Sequence, residues 1–191
     1  MIRRPLCRKE QNGMMDKKRL RRFDGLKYGW LRDAKKFLLL LFAVFLVFRF
    51  VIGLSIVKGD SMEPTLYDRE IVIYTRLHSG YQPGDVVSVR VLSGEYYVKR
   101  IIAAAGDTVE INDGKVWVNG EPLSEPYVQG VTETGNGAVG YPLTLKDGQI
   151  FIMGDNREKS MDSRDFGVVG ERQVKGKIQL CIGKGFVRKV R

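Results

Sequence analysis

The feature that most constrains this chain is an apolar stretch near its N-terminus. Residues 37–48 are continuously apolar, and after Arg49 the run resumes from Phe50 to Val57. Twelve helical residues cover only about 18 Å, whereas the hydrocarbon core of a bilayer is about 30 Å thick. A membrane-spanning helix must therefore include flanking residues, and we predict a transmembrane anchor at 32–52. Arg49 would lie near the outer interface, where its long side chain reaches the headgroups.

Charge is distributed unevenly about this stretch. The net charge is +10: residues 1–36 account for nine of these charges, Arg49 adds one, and residues 58–191 are balanced. Basic residues before a span favour a cytoplasmic N-terminus. We therefore predict a single-pass protein of the cell membrane. Its basic tail at 1–31 would be cytoplasmic and attracted to anionic lipid, and its catalytic domain at 53–191 would be extracytoplasmic. The balanced domain offers no basic surface to a nucleic acid.

A cleaved secretory signal is the competing interpretation of the N-terminus. Gly53-Leu54-Ser55 loosely resembles a small-x-small cleavage site. Against cleavage, the basic leader is long, and the apolar stretch continues beyond this site through Ile56 and Val57. We favour an uncleaved anchor, and whether the protein cuts itself near Gly53 stays open.

The cysteines and the histidine argue against several kinds of site. Cys7 and Cys181 lie on opposite sides of the predicted span, so they cannot form a disulfide bond within one chain. The single histidine, His78, lies in a turn-like segment, which disfavours a Ser-His-Asp triad. Because no histidine and cysteine cluster is present to bind zinc, we expect neither a metal nor a cofactor.

Beyond residue 57 the sequence has the pattern of β-structure. Short runs rich in β-branched and aromatic residues alternate with turn residues and lie at Glu70–Tyr74, Asp85–Val91, Tyr96–Ala103, Thr108–Ile111, Lys115–Val118, Gln149–Met153 and Lys177–Cys181. Asn112-Asp113-Gly114 predicts a hairpin, and residues 124–148 are predicted to form a mobile loop excursion. The predicted fold is mainly β, a curled sheet or partly open β-barrel preceded by one transmembrane helix.

Ser61 and Lys99 are the candidate catalytic pair. A lysine removes a serine proton only as a neutral amine, and holding it neutral at pH 7 costs roughly 4.6 kcal/mol from a reference pKa of about 10.4. Burial can supply this, because desolvation penalises the ammonium form. Strand alternation places Tyr97, Lys99 and Ile101 on one face, which we expect to point inward. Arg100 then points away, toward a carboxylate.

Four blocks of sequence resemble bacterial type I signal peptidases, which are membrane-anchored Ser/Lys endopeptidases that remove signal peptides from exported proteins. The blocks are Gly59–Leu66, Gln82–Val87, Tyr97–Arg100 with Gly106-Asp107, and Gly154-Asp155-Asn156-Arg157 through Ser160, Asp162-Ser163-Arg164 and Phe166-Gly167. The resemblance covers about residues 35–180. The single anchor and small outer domain are similar to Gram-positive-type members, and a lysine at position 99 distinguishes the chain from endoplasmic-reticulum-type enzymes, which carry histidine.

The resemblance implies a role for each matching residue. Ser61 is the implied nucleophile, Lys99 the implied general base, and the Ser61 backbone N–H the implied oxyanion donor. The residues implied to orient the lysine amine or brace the site are Ser160, Arg100 with Asp155, and Asp162 with Arg164. Gram-negative members add a serine hydroxyl two residues before the nucleophile. That position is Gly59 here, so a second side-chain donor is an open question.

The resemblance also implies the substrate and partners. Preproteins would be cleaved after small-x-small sites such as Ala-x-Ala, bound as an extended strand beside the segment entering Ser61 and the strand around Tyr96–Val98. The residues implied to line shallow apolar pockets are Val57, Met62, Leu66, Tyr97 and Val98. The implied partners are signal-peptide-bearing preproteins, the lipid bilayer and the protein-export machinery.

Two other functions remain open. A self-cleaving repressor also uses a Ser/Lys pair, but it would need a DNA-binding domain where this chain has its apolar stretch. A catalytically inactive, membrane-tethered β module is the second alternative, and the joint presence of Ser61, Lys99 and Ser160 argues against it.

Overall fold

The computed structural model describes residues 30, 32–77, 80–91, 94–183 and 185–190. The chain divides into two units, and the second begins at Phe48. Cys7, His78 and the predicted basic tail up to residue 29 lie outside the described residues, so the predictions made for them stay predictions.

Residues 32–50 form a helix, α1, whose large apolar side chains between Phe37 and Phe48 are exposed. In the described ranges no helix is long and apolar enough to cross a membrane. The spanning helix predicted at 32–52 is therefore not found. Charged residues occupy its first turns and Arg49 its last, and α1 stops at residue 50 because a strand begins at Ile52.

The second unit is mainly β, as predicted. Its strands in the described residues are β1 (Ile52–Ile56), β2 (Ile71–Thr75), β3 (Val86–Arg90), β4 (Tyr96–Ala103), β5 (Thr108–Asn112), β6 (Lys115–Val118), β7 (Glu121–Pro122), β8 (Leu143–Thr144), β9 (Gln149–Met153), β10 (Val169–Gly170), β11 (Val174–Gly183) and β12 (Phe186–Lys189). A short helix, α2 (Ser163–Phe166), follows β9, and a 3₁₀ turn at Glu171–Gln173 precedes β11.

The strands form two antiparallel sheets. The larger has the order β1-β2-β11-β3-β4-β9-β10, with β12 paired to β11, and the smaller has the order β7-β6-β5-β8. β11 is the central connector, because it pairs with β2, β3 and β12 along its length. Strands from the beginning and end of the domain thus lie side by side, and β1 is left at one edge of the larger sheet.

Local pattern predicted some strands to the residue and missed others. β4, β6 and β9 have the predicted bounds, whereas β11 extends beyond Lys177–Cys181 at both ends. β1 was not predicted, because it continues the apolar stretch of α1 and hydropathy alone does not separate them. A close approach marks the strand: a Cβ at Gly53 would overlap the Tyr74 ring on β2.

The hairpin prediction is confirmed and the loop prediction needs correction. β5 and β6 are joined through Asp113 and Gly114, which have φ values of 51° and 71°. Residues 124–148 are not a simple excursion. They include β8, and Thr132 is buried with its Oγ1 accepting a 2.7 Å hydrogen bond from Arg157. These tertiary contacts were not predicted because the segment is poor in large apolar residues.

Candidate active site

Two strand edges of the larger sheet face one cleft. Within the described strands, residues 96–99 of β4 pair only with β3, because β9 joins β4 from Arg100 onward. The end of β1 and this free edge of β4 line a cleft of about 600 Å³. Ser61 and Lys99 line the same cleft. An extended peptide could therefore pair with β4 within reach of both side chains.

Ser61 lies in the turn that joins β1 to β2. Its carbonyl oxygen accepts a 3.1 Å hydrogen bond from the N–H of Asn156, which ties this turn to the loop after β9. In the part of the chain that the structure describes, neither the hydroxyl nor the N–H of Ser61 has a hydrogen-bond partner. Both groups are therefore free to meet a substrate carbonyl.

The backbone conformation at position 59 favours glycine. Its φ is +79°, in the left-handed region that L-residues with a Cβ rarely adopt. The Gly59 N–H donates a 2.8 Å hydrogen bond to Asp68. A serine at this position would strain the turn that presents Ser61, so the position left open as a second oxyanion donor serves the turn instead.

Lys99 is buried in β4, with 3% of the residue exposed. Its Nζ donates a 2.9 Å hydrogen bond to Ser160 Oγ and lies 5.7 Å from the centre of the Tyr97 ring. Burial lowers the pKa of Lys99 from 10.5 to about 8; Arg164 adds to this shift and Asp162 opposes it. Roughly a tenth of the amine is then neutral at pH 7, less than the sequence argument required.

Ser160, Asp162 and Arg164 continue the hydrogen-bond chain from the lysine. Ser160 Oγ accepts from Lys99 and donates to Asp162 Oδ2 at 2.6 Å, while Arg164 donates to both oxygens of Asp162 at 2.9 and 3.0 Å. Burial alone would raise the pKa of Asp162, but the hydrogen bonds from Arg164 outweigh it and hold the pKa below its ordinary value. An ionised Asp162 fixes the direction of the Ser160 hydroxyl, which leaves its lone pairs for Lys99.

Gly154 brings this chain against the nucleophile turn. A Cβ at position 154 would overlap Ser160 Oγ and the carbonyl oxygen of Ser61. The Gly154 N–H also donates a 3.0 Å hydrogen bond to Asp162. Only glycine lets the loop after β9 place Ser160 directly beside the Ser61 backbone.

Arg100 lies on the face of β4 opposite Lys99 and is also buried. It donates to both carboxylate oxygens of Asp155, at 2.9 and 2.7 Å, and to the carbonyl oxygen of Gly84 at 2.9 Å. The guanidinium carbon lies 3.9 Å from the centre of the Tyr127 ring. Both faces of β4 are therefore filled at the catalytic end, which holds the strand in one register.

Thr65 is a residue of this network that the sequence analysis did not single out. Its hydroxyl donates a 2.5 Å hydrogen bond to Asp155 Oδ2 and lies 3.4 Å from Arg100 Nη2. Its carbonyl oxygen accepts a 3.0 Å hydrogen bond from Arg188, which also pairs with the buried Glu70. Thr65 thus links the turn of Ser61 to the strand of Lys99. Its place in the first sequence block was the available signal.

We expect Thr65→Val to lower kcat about tenfold while leaving KM within about twofold, because the turn would lose its bond to Asp155 without a change in side-chain shape. Thr65→Ser keeps the hydroxyl and should restore most of the activity. Steady-state cleavage of a fluorogenic peptide measures both constants. Equal losses in the two variants would mean that Thr65 acts through its methyl group and not through this hydrogen bond.

The residues predicted to line the substrate pockets separate into two sets. Tyr97 and Val98 line the cleft. Val57, Met62 and Leu66 are almost fully buried and pack in the core beside the cleft, where partly buried Val98 contacts them. The lining residues that sequence reasoning missed include Ile56 and Ser88; Ser88 is the cross-strand neighbour of Val98.

The described residues contain no group of three His, Cys, Asp or Glu side chains that could hold a metal ion. Cys181 is buried away from the cleft lining, where its Sγ donates a 3.2 Å hydrogen bond to Glu70, and burial raises its pKa to about 11. Lys99 lines the cleft, and its pKa of about 8 lies close to neutral pH.

A family model described as "Signal peptidase, peptidase S26" matches residues 30–182. The chain belongs to this family. Its membership makes the protein a signal peptidase, that is, a hydrolase of peptide bonds. The match ends before β12, so Arg188 lies outside the part of the chain that the family model describes.

Two named relatives support the same conclusion. The chain is 36% identical over 156 residues to signal peptidase I of Bacillus amyloliquefaciens, covering 75% of this chain and 82% of the relative. It is 36% identical over 152 residues to signal peptidase IB of Staphylococcus aureus strain N315, covering 71% and 80%. A crystal structure of a signal peptidase I from Enterococcus faecalis V583 is similar at 31% identity with a TM-score of 0.45, covering 52% of this chain and 97% of that one.

Proposed function

We propose that the protein cleaves signal peptides from exported preproteins with Ser61 as nucleophile and Lys99 as general base. The observation that carries this proposal is the buried lysine amine, with its pKa lowered to about 8, in the same cleft as an unpaired serine hydroxyl. A lysine in contact with water would be protonated at neutral pH and could not accept a proton.

The proposed reaction has two stages. Neutral Lys99 takes the Ser61 proton as Oγ attacks the scissile carbonyl, and the Ser61 N–H stabilises the oxyanion. The intermediate collapses as Lys99 gives this proton to the departing amine of the mature protein, which leaves the signal peptide esterified to Ser61. Lys99 then takes a proton from water, whose oxygen attacks the ester, and returns that proton to Ser61 as the signal peptide leaves.

Ser160 would keep the lysine amine aligned through this cycle. Its hydroxyl is held by Asp162, whose carboxylate is in turn held by Arg164. Among the described residues Lys99 therefore has one hydrogen-bond partner, whose position is fixed, and rotation of the amine toward other groups is restricted. Arg100 and Asp155 would brace the opposite face of the same strand.

Substrate would bind as a strand between the edge of β4 and the end of β1. Main-chain hydrogen bonds to residues 96–99 would give affinity without demanding a particular sequence. Side chains on the face of Val98 would meet Val98, Ser88 and the end of β1. A side chain packed directly against this wall would be small, so we expect alanine-sized residues at the two alternate positions before the cut, as in small-x-small sites.

We propose that the protein associates with the bilayer through α1. The large apolar residues between Phe37 and Phe48 are exposed, and so are three neighbours on adjacent strands of the second unit, Ile56, Ile71 and Ile182. Lipid is the solvent that removes such surface from water. The basic leader predicts a cytoplasmic N-terminus with the catalytic unit outside, where exported preproteins and the export machinery meet.

We expect the triple variant Leu39→Ser, Phe42→Ser and Phe45→Ser to shift from the membrane fraction toward the soluble fraction, because it removes three large exposed apolar side chains of α1. The control is Leu77→Ser, which removes an equally exposed apolar side chain outside α1. Fractionation and immunoblotting measure the distribution. Unchanged recovery in the membrane fraction would show that α1 is not the attachment.

The proposed activity is tested by incubating the full chain, in detergent or lipid, with a preprotein that carries an Ala-x-Ala site. Mass spectrometry of the products should show one cut directly after the second alanine. The matched substrate has Ala-x-Asp at this site and should remain intact, because burying a charged carboxylate against Val98 is unfavourable. An intact Ala-x-Ala preprotein would favour the catalytically inactive module.

The value of kcat/KM should rise about tenfold between pH 7 and pH 9, because the neutral fraction of Lys99 rises from roughly a tenth to roughly nine-tenths as the pH passes its pKa of about 8. The acid limb should persist in His78→Ala and in the presence of a chelator. A profile that is flat between pH 7 and pH 9 would rule out Lys99 as the base.

A further inference from the structure

A second cavity adjoins the cleft on the face of β4 that carries Tyr97. It has a volume of about 270 Å³, and its apolar walls are formed by Val91, Tyr97, Met161, Phe166, Val168 and Val169. The centroids of the Tyr97 and Phe166 rings in this lining are 6.4 Å apart. Its amide, on Gln173, is already engaged: the nitrogen donates to Arg90 O and the oxygen accepts from Gly170 N. Glu95 also lines the cavity and accepts a 3.3 Å hydrogen bond from the Tyr97 hydroxyl, and the remaining walls fit an apolar group.

The second cavity shares part of its lining with the catalytic cleft. Glu95, Tyr97 and Met161 line both spaces. Met161 follows Ser160 directly in the chain, yet 61% of this large apolar side chain is exposed. A substrate strand bound at the β4 edge would run past Tyr97 and Met161, the wall that the two cavities share.

Strand alternation determines which substrate side chain lies beside Tyr97 and the second cavity. Neighbouring side chains of a strand point to opposite faces, and a peptide paired to β4 shares its two faces. Residues on the face of Val98 meet Val98 and Ser88, whereas residues on the opposite face lie beside Tyr97 and Lys99. If the two small residues of a small-x-small site face Val98, the residue between them faces Tyr97.

We propose that the second cavity binds the side chain of this middle residue and that the enzyme prefers a large apolar group there, such as Leu, Met or Phe. The inference rests on the proposed function, because it needs a peptide bound along β4. It makes the middle position of the cleavage site a specificity position and not a spacer. Transfer of such a side chain from water into the cavity supplies the selectivity.

The test uses Ala-x-Ala peptides with Leu, Phe, Gly or Asp at the middle position, cleaved by the full chain in detergent. We expect kcat/KM for Leu and Phe to exceed that for Gly by about tenfold, mainly through KM, with Asp the poorest. Val168→Phe fills the cavity and should bring the Leu-to-Gly ratio close to one. Val187→Phe is the matched control, because it enlarges an exposed valine outside both cavities, and it should leave the ratio unchanged.

A second variant covers the case in which Val168→Phe does not fold. Met161→Asp places a charge on an exposed position of the shared wall, and it should also reduce the Leu-to-Gly ratio. Equal cleavage of all four peptides by the unmodified protein would overturn this inference alone. Cleavage of none of them would overturn the proposed function and the inference together. A Leu-to-Gly ratio that is unchanged in both cavity variants would overturn the inference alone.

Discussion

Ser61→Ala and Lys99→Met should each lower preprotein cleavage by about a thousandfold or more, because nucleophile and base act as one unit and the loss of either removes the chemistry. The matched control for the lysine is Lys189→Met, which removes an exposed lysine on β12. Single-turnover cleavage in detergent measures the effect. Residual turnover within tenfold of the unmodified protein would exclude the Ser/Lys assignment.

Lys99→Met should also be more stable toward unfolding than the unmodified protein. The folded protein lowers the pKa of Lys99 from 10.5 to about 8, so the unfolded chain binds more protons between these values and stability rises with pH across this window. Below pH 8 the full penalty applies, about 3 kcal/mol for 2.5 units at 1.36 kcal/mol each. Lys99→Met removes it, and urea unfolding at pH 7 should show a gain approaching this value. A loss of stability would mean that the buried amine contributes more through Ser160 than burial costs.

Asp155→Asn should destabilise the folded protein by about 3–5 kcal/mol, because it leaves the Arg100 guanidinium buried without a counter-charge. The side chains of this pair are 2% and 1% exposed. The control is Asp60→Asn at the exposed pair with Lys159, whose atoms are 3.7 Å apart, and it should change stability by less than about 1 kcal/mol. Chemical unfolding followed by circular dichroism compares the two.

A double variant separates the buried pair from its surroundings. Arg100→Met with Asp155→Leu removes both charges and should recover most of the lost stability, since a buried pair often contributes little over an apolar replacement. If the double variant is as unstable as Asp155→Asn, the loss arises instead from the other partners of Asp155, among them the Thr65 hydroxyl.

The candidate site divides between what local pattern predicted and what it could not. Ser61 and Lys99 were identified from short motifs, and period-two alternation placed Lys99 and Arg100 on opposite faces of β4. Alternation did not predict that both faces are buried. Nor did the sequence distinguish apolar residues that line the cleft from those in the core, because side chains in both places are apolar. The cleft residues are Tyr97 and Val98, and the core residues are Val57, Met62 and Leu66.

Sequence by itself determined the elements whose signals are local: the bounds of β4, the hairpin at Asp113-Gly114, and the motif that carries Ser61. Only the tertiary structure decided which distant groups meet. Lys99 and Ser160 are 61 residues apart, Thr65 and Asp155 are 90 apart, and Thr65 and Arg188 are 123 apart. The order of strands in the larger sheet sets these contacts, as it sets the free edge of β4 and the two cavities beside it. The physical reason is that backbone propensity and hydrophobic period act over a few residues, whereas strand order and packing are chosen by the free energy of the whole core.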